Sequence, residues 1–107
     1  VADYHYHVDT REQYGRLNGL KPELLQSFGA FNAKAFEEGE LSQKVKELIA
    51  VAAAHITRCP YCISGHTKRA RQLGATDGEI AEAIFVAVAM NAGASMAHST
   101  VAMKALE

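Results

Sequence analysis

Residues 80–90 read Ile-Ala-Glu-Ala-Ile-Phe-Val-Ala-Val-Ala-Met, an Ala-rich run interrupted by a single charge, Glu82. Wound as a helix, this run is apolar on nearly every side and has to be covered all round. A chain of 107 residues has little of its own mass to cover it with. The run therefore predicts a helix packed against its own chain and also against a neighbouring subunit. Read as ending at Met90, it is far too short to span a bilayer. The remainder is also Ala-rich and lacks the apolar/polar alternation of strands, so the expectation is an all-α domain.

Local signals divide the chain. Residues 1–20 read as an N-terminal arm, loosely ordered or docking. Tyr4, Tyr6 and Val8 alternate there with His5 and His7, Gly15 and Gly19 follow, and both histidines are expected to face solvent. A helical domain over residues 21–107 follows. Pro22 suits the first turn of a helix running to about Glu38, with Leu24, Leu25, Phe28 and Phe31 as its buried stripe and Gly39 as its stop. Ser42 is placed to cap a second helix to about Arg58, whose core face is Val45, Leu48, Ile49, Ala52 and Ile56. Pro60 opens a third, which Gly74 ends in the left-handed region. Thr76-Asp77-Gly78-Glu79 is a capping box for a fourth. Asn91-Ala92-Gly93 is expected to break that helix, leaving a fifth from about Ala94 to Leu106.

A formal net charge of −1 offers no electrostatic footprint for nucleic acid or an anionic membrane. The sequence begins Val-Ala-Asp-Tyr-His, without the basic and apolar regions of a signal peptide. Cytoplasm is the default expectation. There, a lone C-x-x-C is more often redox-active or metal-binding than structural.

That motif is Cys59-Pro60-Tyr61-Cys62, and it holds both cysteines of the chain. A helix N-terminus stabilises a thiolate through its unpaired N–H groups and dipole. His66, at i+4 from Cys62, shares its face and is placed to take its proton. Glu47 lies on the preceding helix, roughly 200° round from Val45 at about 100° per residue. Its neighbours on that second face are Val51, Ala54 and Arg58, and the carboxylate can reach His66 or a water if the two helices fold back on each other. Taken singly, these residues have plain readings: a solvated glutamate, a surface histidine, two small core thiols. Together they favour redox chemistry. Zinc on His55, Cys59, Cys62 and His66 fits poorly, because eleven helical steps separate the outer ligands by roughly 16 Å while zinc holds its ligand atoms within about 2.3 Å. No metal is expected. Covalent haem needs His directly after Cys62, where Ile63 stands. Cys-Pro-Tyr-Cys also occurs in glutaredoxins, but that fold sets it after a strand and needs a downstream cis-proline; here a helix precedes it, and the other proline is Pro22.

The spacing Glu47-x11-Cys59-x2-Cys62-x3-His66, followed by Leu73-Gly74-Ala75-Thr76 and Glu79-Ile80-Ala81-Glu82-Ala83, resembles the carboxymuconolactone decarboxylase superfamily and within it the alkyl hydroperoxidase D-like branch. The similarity covers roughly residues 22–103. It implies an all-α domain of about five to six helices that assembles as a homotrimer or homohexamer. It also implies a thiol peroxidase or disulfide reductase: Cys62 attacking, Cys59 resolving, His66 and Glu47 relaying protons, no bound cofactor, and a lipoyl-type dithiol as external reductant. Tyr61 stands where the best-known member of that branch has a relay histidine. Tyr61 is a possible hydrogen-bond donor but, as a phenol, a poor base at neutral pH. His55, one turn before Cys59, is a possible substitute or a packing residue, and His98 reads as an interface residue. Two alternatives stand beside this reading: a lyase acting on a lactone acid, and a non-enzymatic helical oligomer whose thiols sense oxidation.

Overall fold

A computed structural model describes residues 6–107. Among these, the regular elements are five helices: α1 (Arg11–Leu20), α2 (Pro22–Ala35), α3 (Gln43–Thr57), α4 (Pro60–Gln72) and α5 (Asp77–Ala105). They fall into two compact units that divide after Glu37.

The first unit holds α1 and α2, which contact each other. The expected arm is helical from Arg11 onward; Tyr4 and His5 lie outside the described residues, and His7 is exposed. Helix formers such as Glu12, Gln13, Arg16 and Leu17 outweigh Gly15 and Gly19, each of which costs only about 1 kcal/mol in a helix. Pro22 sits in the first turn of α2 as its fixed φ predicts. That helix stops at Ala35, four residues before Gly39. Its apolar stripe is not buried within the chain: Leu24, Phe28 and Phe31 are all exposed.

The second unit packs α4 and α5 on α3. Ser42 caps α3, its Oγ accepting the Val45 N–H at 3.2 Å. At the far end of α4, Gly74 takes φ +93°, and the N–H groups of Ala75 and Gly74 reach the carbonyls of Ala70 (2.9 Å) and Arg71 (3.1 Å). This is a Schellman closure, which a residue with Cβ adopts only under strain. The capping box then forms as read: Thr76 Oγ1 accepts the Glu79 N–H at 3.1 Å and Glu79 Oε1 accepts the Thr76 N–H at 2.9 Å. Lys44 pairs with the same glutamate at 2.8 Å, tying α3 to the start of α5. That contact first, and the Thr76 N–H second, hold the Glu79 carboxyl below its ordinary range.

Two expectations are corrected here. The buried face of α3 is Glu47, Val51 and Ala54; Val45, Ile49 and Ile56 are exposed. The small face wins inside the chain because Ala54 on α3 and Ala70 on α4 let helix backbones approach closely, around a core of Val51, Ala70, Ala75 and Ile80 edged by Leu48 and Ile84. Second, α5 is one helix of 29 residues with no break at Asn91-Ala92-Gly93. A mid-helix glycine costs about 1 kcal/mol, and without a left-handed turn there nothing terminates the hydrogen-bond ladder. Within the chain α5 buries only Ile80 and Ala87, leaving Phe85, Val86, Val88 and Met90 exposed. Unbroken, the helix contains an 18-residue window of mean hydropathy 1.6, long and apolar enough by length and composition alone to cross a membrane. The expectation of too short a run came from ending it at Met90.

Replacing the capping hydroxyl, Thr76→Ala, is expected to lower unfolding free energy by about 1 kcal/mol. Urea denaturation should show this as a reduced midpoint with unchanged slope.

Candidate functional site

The junction between α3 and α4 sets the site. Arg58 ends α3 in the left-handed region, φ 60° and ψ 45°, a conformation costing a residue with Cβ roughly 1–2 kcal/mol. The reversed chain then meets Pro60. A proline excludes the helical region for the residue before it, and Cys59 is accordingly extended, φ −100° and ψ 106°. That is also the backbone an N-cap requires. Cys59 is the N-cap of α4, with a sulfur where Ser, Thr or Asp would usually supply oxygen.

Three donors converge on that sulfur. The Cys62 thiol lies 2.6 Å from Cys59 Sγ and donates to it, and the Cys62 N–H does the same at 3.2 Å. These two, with a smaller contribution from the Tyr61 N–H, hold the Cys59 thiol below its ordinary range. Cys62 is pushed up, first because it donates to Cys59 and second by burial. The two thiols titrate as a pair, and of the two it is Cys59 whose proton is held less tightly. These directions run opposite to the expectation of Cys62 as the ionised sulfur. The larger cause is the Cys62 thiol, and the N-cap adds to it: the first-turn N–H groups point at the residue preceding the helix, not at one inside it.

Glu47 reaches the site from α3. Its side chain is only 5% exposed, and Oε2 lies 2.6 Å from His66 Nδ1 on α4. The contact is direct, with no water required between them. The contact engages one ring nitrogen and so fixes the orientation of the imidazole on α4. The sequence left Glu47 between a solvated residue and a site residue; the structure buries it on the α3–α4 face against His66.

His55 lies on α3 with Nδ1 2.7 Å from the Val51 carbonyl, which it donates to within its own helix. Tyr61 is exposed at the start of α4 and contributes its backbone N–H to Cys59. His98 is exposed on the far half of α5. Among the described residues no three His, Cys, Asp or Glu side chains converge as a metal ion would need, and His55, Cys59, Cys62 and His66 do not form the four-ligand cluster that zinc would require. Sequence reasoning missed Arg69, whose Nε lies 3.7 Å from Glu47 Oε1. Its signal was present: Arg69 is at i+3 from His66, on the same helical face. It also missed the left-handed Arg58, which no pattern announces.

A helical unit that sets a dithiol on a helix start, backed by a buried carboxylate–imidazole pair, is the class of structure this chain builds. Residues 22–105 match the carboxymuconolactone decarboxylase family, and the chain belongs to that family. It is 49% identical over 81 residues to "Uncharacterized protein 4 in cox locus" of Paracoccus denitrificans, covering 76% of this chain and 73% of that protein. It is 39% identical over 105 residues to an uncharacterised protein of Haemophilus influenzae, covering 97% and 93%. Among solved structures it resembles a protein of Methanobacterium thermoautotrophicum, with TM-score 0.72, 36% identity, and coverage of 77% of this chain and 94% of that one. It also resembles a carboxymuconolactone decarboxylase family protein of Legionella pneumophila in its apo form, with TM-score 0.71, 35% identity, and coverage of 88% and 84%.

Truncating the buried carboxylate, Glu47→Ala, strands the His66 donor and opens a void between α3 and α4. Thermal or urea unfolding should register a loss of about 2 kcal/mol. An unchanged stability would mean that Glu47 is solvated in solution.

Proposed function

We propose that this chain is a thiol-dependent peroxidase or disulfide reductase of the alkyl hydroperoxidase D type, cycling Cys59 and Cys62 at the expense of an external dithiol. The observation that carries the reading is the 2.6 Å contact between the two sulfurs at the α4 N-terminus, with one thiol lowered and the other raised. In the cycle, Cys59 thiolate attacks the terminal peroxide oxygen. The O–O bond breaks, the alkoxide leaves and takes a solvent proton as alcohol, and Cys59 becomes a sulfenic acid. Cys62 holds its proton more tightly and needs a base for the next step. His66, one turn on and steadied by Glu47, accepts that proton. Cys62 then displaces the sulfenic oxygen, which leaves as water with the proton from His66, and a Cys59–Cys62 disulfide results. Exchange with a lipoyl-type dithiol restores both thiols and oxidises the donor. Lactone-acid decarboxylation makes no use of a thiol pair, so this geometry does not favour it.

The same reading has the chain work as a homotrimer or homohexamer. The support is the exposed apolar surface of Phe85, Val86, Val88 and Met90 on α5, larger than single scattered residues account for.

One equivalent of an alkyl hydroperoxide should consume both titratable thiols and leave the monomer two hydrogens lighter by mass spectrometry. With dihydrolipoamide supplied, turnover should become multiple; Cys59→Ser should abolish it, and Cys62→Ser should stop at a trapped sulfenic acid. Two free thiols remaining after peroxide would refute the proposal.

A further inference from the structure

We propose that the outer face of α5 is a two-fold interface on which a second copy of this chain lays its own α5 antiparallel. The inference rests on the homo-oligomeric reading above and decides between its two assemblies. The helix has two faces. Ile80, Ile84 and Ala87, spaced i, i+4, i+7, are buried or half-buried within the chain. On the roughly opposite side, at about 100° per residue, runs a second row: Ala89, Ala92, Met96, Ser99, Met103 and Leu106, all exposed.

Cover from the chain itself stops early. Lys44 meets Glu79 at 2.8 Å, which sets the start of α3 beside the start of α5. Since α3 ends at Thr57, an equal length of α5 reaches only to about residue 92. The helix runs on to Ala105, and every residue from Val88 to Glu107 is exposed.

The second row is spaced 3, 4, 3, 4, 3, the period at which two helices keep a continuous seam of knobs in holes. It is also self-complementary. About a two-fold axis between Ala97 and His98, an antiparallel copy sets Ala89 opposite Leu106, Ala92 opposite Met103, and Met96 opposite Ser99. Each bulky side chain meets a small one, and the pairing is the same from either helix, as an isologous contact requires. A parallel copy would set Met against Met and Ala against Ala, crowding some levels and leaving voids at others. Between Glu82 and Glu107 the one Asp, Glu, Lys or Arg is Lys104, about 100° off the row. A bilayer fits less well: the uncovered length is about 20 Å at 1.5 Å per residue, short of a ~30 Å hydrocarbon core. It also carries Asn91, His98 and Lys104. A two-fold contact belongs to an assembly with an even number of copies, so the hexamer contains it and the trimer does not.

Sedimentation equilibrium of the full chain tests this, with far-UV circular dichroism to check that substitutions at these exposed positions leave the helices intact. Wild type should associate with even stoichiometry. Ala92→Met, which crowds Met103, and Met103→Ala, which leaves a void, should each weaken association across the seam roughly tenfold or more. The double variant swaps small and large and should return to within about threefold of wild type. Met96→Glu places a charge in the seam without touching the opposite face and should dissociate it. A monomeric wild type, an odd stoichiometry, single variants that associate like wild type, or a double variant as weak as the singles would each overturn the inference. So would wild type that floats with phosphatidylglycerol vesicles instead of associating with itself. None of these readings uses turnover, so an inactive but evenly assembled protein would count against the proposed peroxidase and support the interface.

Discussion

The backbone restriction that Pro60 places on Cys59 is the constraint from which the site follows. Barred from the helical region, Cys59 takes the extended backbone of an N-cap, and α4 begins one residue later. The unpaired N–H groups of the first turn then have a sulfur in front of them. Cys62, at N3, lies one turn along with its thiol directed at the same atom. The left-handed Arg58 makes the reversal abrupt, so α4 starts immediately beside α3 rather than after a loop. Backbone strain of this kind persists only where surrounding packing enforces it, and here the α3–α4 contact provides that packing.

That contact is chemically unusual for so small a core. Around Val51, Ala70, Ala75 and Ile80 there is room for few apolar atoms, yet one position on the buried face of α3 carries a carboxylate. Burying Glu47 is costly, and its contacts with His66 and Arg69 offset that cost rather than exceed it. A hydrophobic residue of similar volume would serve stability at least as well. In the proposed cycle the carboxylate holds one ring nitrogen of His66, the imidazole that serves Cys62.

What was legible in the sequence follows from how local each signal is. Pro22, Ser42, Pro60, Gly74 and the Thr76–Glu79 box each act within four residues, and all lie where their own chemistry puts them. The i, i+3 and i, i+4 relations of α4 likewise set Cys59, Cys62 and His66 on one face, whereas Glu47 comes from α3 and its approach to His66 depends on how two helices pack. The faces were not. Val45, Ile49 and Ile56 form the more apolar stripe of α3, but small residues allow closer approach, and the chain buries Val51 and Ala54 instead. Residues 91–93 were read as a break because Asn and Gly often end helices, though the ladder of α5 continues through them. The spacing relates Cys62 to His66 and says nothing of the thiol and N–H groups aimed at Cys59.

Thiolate absorbance near 240 nm, followed against pH in wild type, Cys59→Ser and Cys62→Ser, is the most direct measurement of the charge distribution between the thiols. A depressed thiol pKa means that the ionised form persists to lower pH and is lost as pH falls through the depressed value. Wild type should therefore show one thiolate ionising below the ordinary thiol range, and Cys62→Ser should keep a depressed transition because the backbone N–H groups remain. Cys59→Ser should lose it, ionising only in the ordinary range or above. A depressed transition that survives in Cys59→Ser and vanishes in Cys62→Ser would place the charge on the other sulfur and contradict the account.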